Sequence, residues 1–297
     1  MIISYFDVSK QKSLTIAAKG RNQSLTLVAS PLSRRKLNHR LEFLMTFNSD
    51  HILHIKHIWT TLKMPLMLIE RVVEQASLLD MNIPRWFASK DWNYLLSNLE
   101  DPYEELVKEF YANALFDGDE LKCWVRGKDF IVTPSYLAII LNINQPVFVK
   151  PLVYNELELD LNMLQDALGE NLEISSNGKA TRVSSLSPEL RLLTTIIFHN
   201  LYPFSSIEYM NLGRALFLHD LITDEEIDVC SLIFHILVKT TERMASRNYL
   251  PFCCLITKIL KLKGVPTLAN EYPQHNQRLI KISTLNDIIG HSQKNAK

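Results

Sequence analysis

Between Leu186 and Pro266 the apolar positions recur at helical spacing almost without a break, and the gaps between runs carry start and stop signals. Ser187-Pro188 opens the first run. The hydroxyl can accept a first-turn amide, and proline at the first helical position gives up no hydrogen bond. Leu190, Leu192, Leu193, Ile196 and Ile197 then form a stripe too broad for a surface helix, which should end near His199 and Asn200 before Pro203. A second helix is predicted from about Tyr209 to Ile222, carrying Leu212, Ala215, Leu216 and Leu218 around Gly213. Thr223 should cap a third, with Asp224, Glu225 and Glu226 in its first turn against the helix dipole and Ile227, Cys230, Phe234, Leu237, Val238 and Thr241 on one face. A fourth runs from Pro251 to about Lys263 and closes at Gly264, the residue that takes a left-handed φ most easily. Connections this short imply antiparallel neighbours.

The first half is less regular. Leu14 with Ile16, and Leu25 with Leu27, alternate weakly like strands. A helix is predicted over Leu37–Phe47 behind the cluster Arg34-Arg35-Lys36. Further helix follows, interrupted at Pro65, with Leu68, Val72, Val73 and Leu79 able to face a core. Trp86, Phe87, Trp92 and Tyr94 make an aromatic-dense packing anchor. Asp101-Pro102-Tyr103-Glu104 combines an N-cap, a first-turn proline and an acidic third position, ahead of a face built from Tyr103, Leu106, Val107, Phe110, Tyr111 and Ala114. Turns at Asp117-Gly118-Asp119 and Gly127-Lys128 bound two alternating segments, which predicts a hairpin, and Thr133-Pro134 opens another capped helix bearing Leu137, Ile140 and Leu141. The fold class expected is therefore mainly α, a helical bundle-like core with one short β-hairpin near residues 121–132.

Three segments are expected. Residues 1–80 form an N-terminal extension with helical pieces, and residues 81–268 form the main domain. A break is possible within 144–185, where Pro146, Pro151, Gly169 and the polar run Ser175-Ser176-Asn177-Gly178-Lys179 fall. Residues 269–297 lose apolar periodicity and are expected to be a polar, mobile tail.

Composition changes this picture little. A 47% apolar and 22% charged chain is that of a folded protein. No run of about 18 uncharged apolar residues predicts a membrane span, and Met1–Lys19 does not read as a secretory signal. Four cysteines without paired spacing, two of them adjacent, point to a reducing intracellular compartment, cytoplasm or nucleus. Charge is zero overall but uneven. Residues 1–63 carry 10 basic and 3 acidic side chains, residues 64–257 carry 15 and 27, and residues 258–297 carry 7 and 2. Basic ends can meet nucleic acid or an acidic protein surface, although neither end holds a dense basic run and solvated tails explain the same counts.

Candidate chemistry is thin. His51, His54 and His57 recur every three residues, but zinc needs three or four ligands and no thiol or acid is paired with them. His199, His219, Cys230, His235, Cys253 and Cys254 fall in the helical region without ligand spacing, where core packing is the commoner role. Asp224, Glu225, Glu226 and Asp228 sit consecutively at a helix start, unlike the separated carboxylates of a two-metal site. Arg126, Arg191, Arg214 and Arg247 would bind an anion only if the fold gathered them. No serine elbow, zincin or Walker motif occurs. The reading names no catalytic residue, no cofactor-binding residue and no metal ligand.

Several phrases do carry a likeness. Glu105-Leu-Val-Lys-Glu-Phe-Tyr-Ala-Asn113, Trp124-Val-Arg-Gly127 with Phe130 and Thr133-Pro134, Leu186–Pro188 leading to Asn200-Leu-Tyr-Pro203, and Leu250-Pro-Phe252 with Leu255-Ile-Thr257 and Gly264-Val-Pro266 resemble, in that order, the Putative plant transposon protein domain. The resemblance covers about residues 85–268. It implies descent from a plant retroelement and no established catalytic residues. The expectation is a non-enzymatic helical domain that binds protein or nucleic acid. The alternatives are a Gag-like self-assembling module and a cryptic nuclease or hydrolase assembled from distant residues.

Overall fold

The computed structural model describes residues 2–8, 11–17, 24–29, 65–97, 99–146, 161–169, 172–173, 180–205, 208–243, 248–275 and 279–295. The helix predicted over Leu37–Phe47, the Arg34–Lys36 cluster, His51, His54, His57, Arg247 and the polar run 175–179 lie outside the described residues. The chain divides into two compact units, Met1–Met64 and Pro65–Lys297.

In the first unit, strands β1 (Ile2–Val8), β2 (Gln11–Ala17) and β3 (Ser24–Ala29) form an antiparallel sheet. Ile3 pairs with Ile16 and Ile16 with Leu25, while Tyr5 pairs with Leu14 and Leu14 with Leu27.

The second unit begins with β4 (Leu66–Met67) and a 3-10 turn at Gln75–Leu78, followed by α1 (Ile83–Ala88), α2 (Tyr94–Ser97) and α3 (Glu104–Asn113). Strands β5 (Leu115–Asp117), β6 (Glu120–Val125) and β7 (Lys128–Val132) form an antiparallel sheet. The predicted hairpin is its β6–β7 half, with Cys123 opposite Phe130 and Gly127 at φ +76° in the turn. Then come α4 (Pro134–Leu141), α5 (Leu161–Leu168), β8 (Ala180–Arg182), α6 (Pro188–Ile196) and a π-helical turn at Ile197–Leu201. β9 (Tyr209–Asn211), α7 (Leu212–Ile222), α8 (Val229–Arg243), β10 (Tyr249–Leu250), α9 (Cys253–Leu262) and α10 (Ile282–Asn295) complete it. Helices dominate and the sheets are small, so the mainly α expectation holds; the weak alternation at Leu14 with Ile16 and Leu25 with Leu27 falls in β2 and β3, while β4, β5, β8, β9 and β10 were not foreseen.

Caps behave as the residues dictate at two predicted starts. Thr133 accepts from the Tyr136 amide at 3.1 Å and Ser187 from the Leu190 amide at 3.3 Å. Elsewhere the boundaries move. Asp101 does not cap α3; its carboxylate meets His275 Nδ1 at 2.7 Å instead. Thr223 and the acids after it form a loop, and α8 starts at Val229 because Asp228 accepts from the Ser231 amide at 2.9 Å and its hydroxyl at 2.5 Å.

Two predicted boundaries are corrected. Residues 65–80, assigned to the N-terminal extension and expected to be helical, belong to the second unit and run extended into a 3-10 turn. The amides of Leu66, Leu68, Arg71, Val73 and Glu74 are committed to partners far along the chain, which no helix could reach. The described residues of 269–297, expected to be a mobile tail, fold back. Glu271 pairs with Arg126, Ile280 is buried in a parallel bridge to Val73, and α10 packs against α6 with Leu285 and Ile288 half-covered.

The core lies between α3, α4, α6, α7, α8 and α9. Leu106, Val107, Phe110 and Tyr111 are the buried face of α3, and α8 is buried nearly all round, from Val229 to Thr240. Trp92 stacks on Phe217 at 6.4 Å and meets Phe87 edge-on at 6.4 Å.

Candidate functional site

A long-range polar network surrounds residues 66–74, an extended strap starting behind Pro65. β-Branched Val72 and Val73 favour an extended backbone, but the strap is fixed chiefly by its hydrogen bonds. β4 lies parallel to β10, with the Leu66 amide donating to the Asn248 carbonyl at 3.1 Å and the Leu68 amide to that of Leu250 at 2.8 Å. Next, the Arg71 amide donates to Asn200 Oδ1 at 3.0 Å, and Asn200 Nδ2 donates to the carbonyls of Arg71 at 2.9 Å and Leu95 at 3.1 Å. The Val73 amide donates to Leu96 at 2.8 Å. Ile280 then exchanges bonds with the other edge, its amide donating to Val72 and its carbonyl accepting from Glu74, both at 2.9 Å. Asn200 thus bonds the amide and the carbonyl of one residue, as a neighbouring antiparallel strand would.

Glu70 projects from the middle of the strap to the start of α9. Phe252, the residue before that helix, sits in the left-handed region at φ +54° and supplies no side-chain cap. The Glu70 carboxylate replaces one, Oε2 accepting from the Cys254 amide and Oε1 from the Leu255 amide, each at 3.0 Å. It meets the positive end of the helix dipole and satisfies two amides that the helix leaves free. Only 2% of Glu70 is exposed. Burial pushes its carboxyl above the ordinary range, against the two amide bonds, which pull it down. Cys253 and Cys254 lie under the strap, Cys253 Sγ 3.8 Å from the Leu68 carbonyl and Cys254 Sγ 4.0 Å from that of Glu70. A recess beside Glu70 is lined by Tyr94, Leu95, Asn200, Cys254 and Lys258, with the Lys258 ammonium 3.8 Å from the centre of the Tyr94 ring.

Asn200 owes its aim to the π-helical turn. The extra residue in that turn swings the carboxamide off the α6 stripe and toward the strap, a common reason for such bulges to persist. Leu201 is buried, and Arg214 lies over the rings of Tyr202 at 4.4 Å and Phe204 at 4.2 Å while donating to the Pro203 carbonyl at 2.9 Å. Tyr249 Oη donates to the same carbonyl at 3.0 Å. Asn200-Leu-Tyr-Pro203 is therefore a joint between the strap, β10 and α7. Leu250-Pro-Phe252 is a second, where the Pro251 carbonyl accepts from Tyr111 Oη at 2.7 Å.

Residues 89–266, more than half of the chain, match the Putative plant retrotransposon-related domain. The chain belongs to that family. The resemblance read from the ordered phrases is borne out, and with it the retroelement origin. No curated protein and no solved structure matches the chain. The family segment begins after the strap and ends before Glu271, so both flanks that bind it lie outside the match.

The structure disperses the other sequence candidates. His199 bonds the Thr195 carbonyl at 2.9 Å, and burial lowers its pKa. His219 is buried against Asp220 at 2.9 Å, and His235 is exposed. All four cysteines are buried free thiols; burial pushes Cys230 up to about 12 and raises the other three as well. Among the described residues no group of three or more His, Cys, Asp and Glu side chains is placed to hold a metal ion. Asp224 binds Ser89 at 2.9 Å and Lys90 at 3.0 Å, while Asp228 caps α8. Arg126 and Arg214 serve separate internal roles, Arg126 in a pair with Glu271 and Arg214 at the Asn-Leu-Tyr-Pro joint. Among the described residues no helix is long and apolar enough to cross a membrane.

Sequence reasoning missed Glu70 and Asn200. Glu70 stands inside the apolar run Met64-Pro-Leu-Met-Leu-Ile-Glu-Arg-Val-Val73, where an acid facing solvent and an acid capping a distant helix look alike. Asn200 was legible as the end of α6 and as the start of the phrase Asn200-Leu-Tyr-Pro203, but not as the partner of an extended segment 129 residues away.

Proposed function

We propose that the second unit is a non-catalytic binding module inside the cell, a bundle-like helical core whose groove between β10, Asn200 and α9 holds an extended peptide. The observation that carries this reading is the way the strap is held. Five of its main-chain amides are bound, the Asn200 carboxamide meets both main-chain groups of Arg71, and a single acidic side chain docks at a helix start. Strand addition with main-chain bonds for affinity and one side-chain pocket for specificity is how peptide-binding domains take partners. The buried free thiols agree with a reducing compartment.

The test is exchange of the strap. A protease site is inserted after Asp80, in an exposed part of the connector, and the chain is cut there. A fluorescent peptide of residues 64–76 should enter the cut protein, and the same peptide with Glu70→Ala should compete at least about tenfold less well, the loss of a buried pair of hydrogen bonds being worth more than about 1.4 kcal/mol. A cut chain that never takes up the peptide overturns the reading.

One observation favours a nucleic acid partner instead. Around α9, three ammonium groups lie against tyrosine rings: Lys258 on Tyr94 at 3.8 Å, Lys263 on Tyr136 at 4.1 Å and Lys261 on Tyr103 at 5.8 Å. Cations interleaved with aromatic rings suit a single strand. On this reading a labelled oligonucleotide binds with an affinity that falls steeply with salt, and Lys258→Glu with Lys261→Glu abolishes it. Binding without salt dependence would remove it.

A further inference from the structure

We infer that the partner of the strap groove is a second copy of this chain: residues 66–74 of one copy can occupy the groove of another, so that each Glu70 caps the partner copy's α9. The inference rests on the reading that the groove holds an extended peptide, and it names where that peptide comes from.

Three observations point to exchange. Between Leu66 and Val73 the strap is held chiefly by groups well removed along the chain, at Leu96, Asn200, Asn248, Leu250, the α9 amides, Leu279 and Ile280, while the Val73 carbonyl accepts locally from the Gln75 amide. A strap arriving from another molecule meets the same donors and acceptors, so the exchanged form keeps the strap's bonds to Asn200, β10, α9 and Ile280. Second, the strap is the first segment of its compact unit, beginning at the Met64–Pro65 boundary. It can leave without unravelling an element that precedes it in that unit. Third, it is tied to α1 by residues 74–82, a connector whose Glu74, Ala76, Leu79, Asp80 and Asn82 are exposed. Pulled straight, such a connector spans about 30 Å, enough to reach a neighbouring molecule.

Leu79 marks the hinge. It is 73% exposed while its neighbour Leu78 is fully buried. The closed form therefore leaves a large apolar side chain in water where the connector folds back. Straightening the connector releases Leu79 but gives up the burial of Leu78 and the bonds of Ser77 to Ile282 and of Asn82 to Glu189. Exchange is opposed by that loss and by effective concentration, which for a tether this short is about millimolar. The closed monomer therefore prevails when the protein is dilute, and the exchanged dimer appears when copies fold at high concentration. Exchange of an identical element is a low-cost route to self-association.

The experiment uses the full chain. Leu66 and Tyr249 are Cα partners across β4 and β10, and Leu66 is exposed, so Leu66→Cys with Tyr249→Cys can form a bond across the joint. In the closed monomer this disulfide lies within one chain; in the exchanged dimer it links two. The fraction of interchain-linked protein on a non-reducing gel should rise more than about tenfold between refolding at about 10 µM and at about 1 mM. The unsubstituted chain, labelled in two colours, mixed and refolded together, should give energy transfer in a dimer-sized fraction confirmed by light scattering. Intrachain bonds alone at every concentration, with a strict monomer by scattering, overturn the inference. So does a dimer whose disulfides stay within each chain, since it must form through another surface. If the cut chain takes up the strap peptide while no exchanged dimer forms, the groove reading stands and this inference alone fails. If neither occurs, both fail.

Discussion

The carboxamide of Asn200 bonds both main-chain groups of Arg71, accepting from its amide at 3.0 Å and donating to its carbonyl at 2.9 Å, across 129 residues of sequence. A third bond, to the Leu95 carbonyl at 3.1 Å, uses the remaining donor, and the side chain is 97% removed from solvent in consequence of being at the centre of three elements, with 3% exposed. Asn200→Leu keeps the volume but strands an amide and two carbonyls. The expected loss is about 3 kcal/mol in urea unfolding, since each buried unsatisfied group costs about 1–3 kcal/mol and relaxation returns part of it. Asn200→Asp should cost no less at neutral pH, because an ionised carboxylate cannot donate to either carbonyl. A loss under about 1 kcal/mol for both would mean that the strap is not held here.

Glu70 should make stability depend on pH in a direction opposite to most acids. Its folded pKa is raised above 4.5 by burial. Below the ordinary value the carboxyl is protonated in both states, and its contribution is fully present. As pH rises above that value the unfolded chain ionises while the folded one still holds its proton, so stability falls until the folded pKa is passed. Glu70→Gln removes this titration. The difference in unfolding free energy between the native chain and Glu70→Gln should therefore shift against the native chain as pH rises from about 4.5, the unfolded carboxyl value. A difference that stays flat, or moves the other way, means that the amide bonds and the helix dipole outweigh burial.

How much of this was legible follows from the reach of each signal. Local signals transferred well: the Thr133 and Ser187 caps, the turn at Gly127, the closing Gly264 at φ +67° and the apolar face of α3 are each decided within a few residues. Signals that need a distant partner did not. Asp101 has every mark of an N-cap, yet His275 takes its carboxylate. The strap reads as helix because Leu68, Val72 and Val73 fit a helical stripe as well as an extended one, and what decides between them is Asn200, Leu250 and Ile280. The polar segment after Pro266 lacks periodicity for the same reason: Glu271 and Gln274 are held by Arg126, Pro102 and Glu104, not by a stripe.

The Arg126–Glu271 pair should matter far more than the exposed ion pairs. The two side chains are 8% and 5% exposed and meet through both guanidinium nitrogens, while the Pro266 carbonyl accepts from Arg126 Nη1 at 2.6 Å. Glu271→Ala leaves a nearly buried guanidinium with Glu109 as its remaining carboxylate partner, 3.4 Å away. The expected loss is about 3 kcal/mol, the low end for breaking a buried pair because Glu109 stays. Glu100→Ala, which breaks the exposed Lys261 pair, should cost less than about 1 kcal/mol. Equal small losses in chemical denaturation would show that the segment after Pro266 contributes nothing to the fold.

The thiols offer a way to watch the strap open. All four are buried and none is ionised to a useful extent near neutrality, so native protein should react negligibly with a disulfide reagent at pH 8 and fully once unfolded. Cys253 and Cys254 differ from Cys123 and Cys230 in what covers them. The first two touch strap carbonyls, whereas Cys123 lies in β6 and Cys230 in α8. Glu70→Ala removes the cap from α9 and loosens the strap without touching β6 or the body of α8. Labelling followed by peptide mapping should then show Cys253 and Cys254 reacting at least about tenfold faster than in the native chain, with Cys123 and Cys230 changed little, because local opening is set by the free energy of that segment alone. Four thiols accelerating together would mean that the strap opens only when the whole unit unfolds, and that no separately mobile groove exists for a peptide to enter.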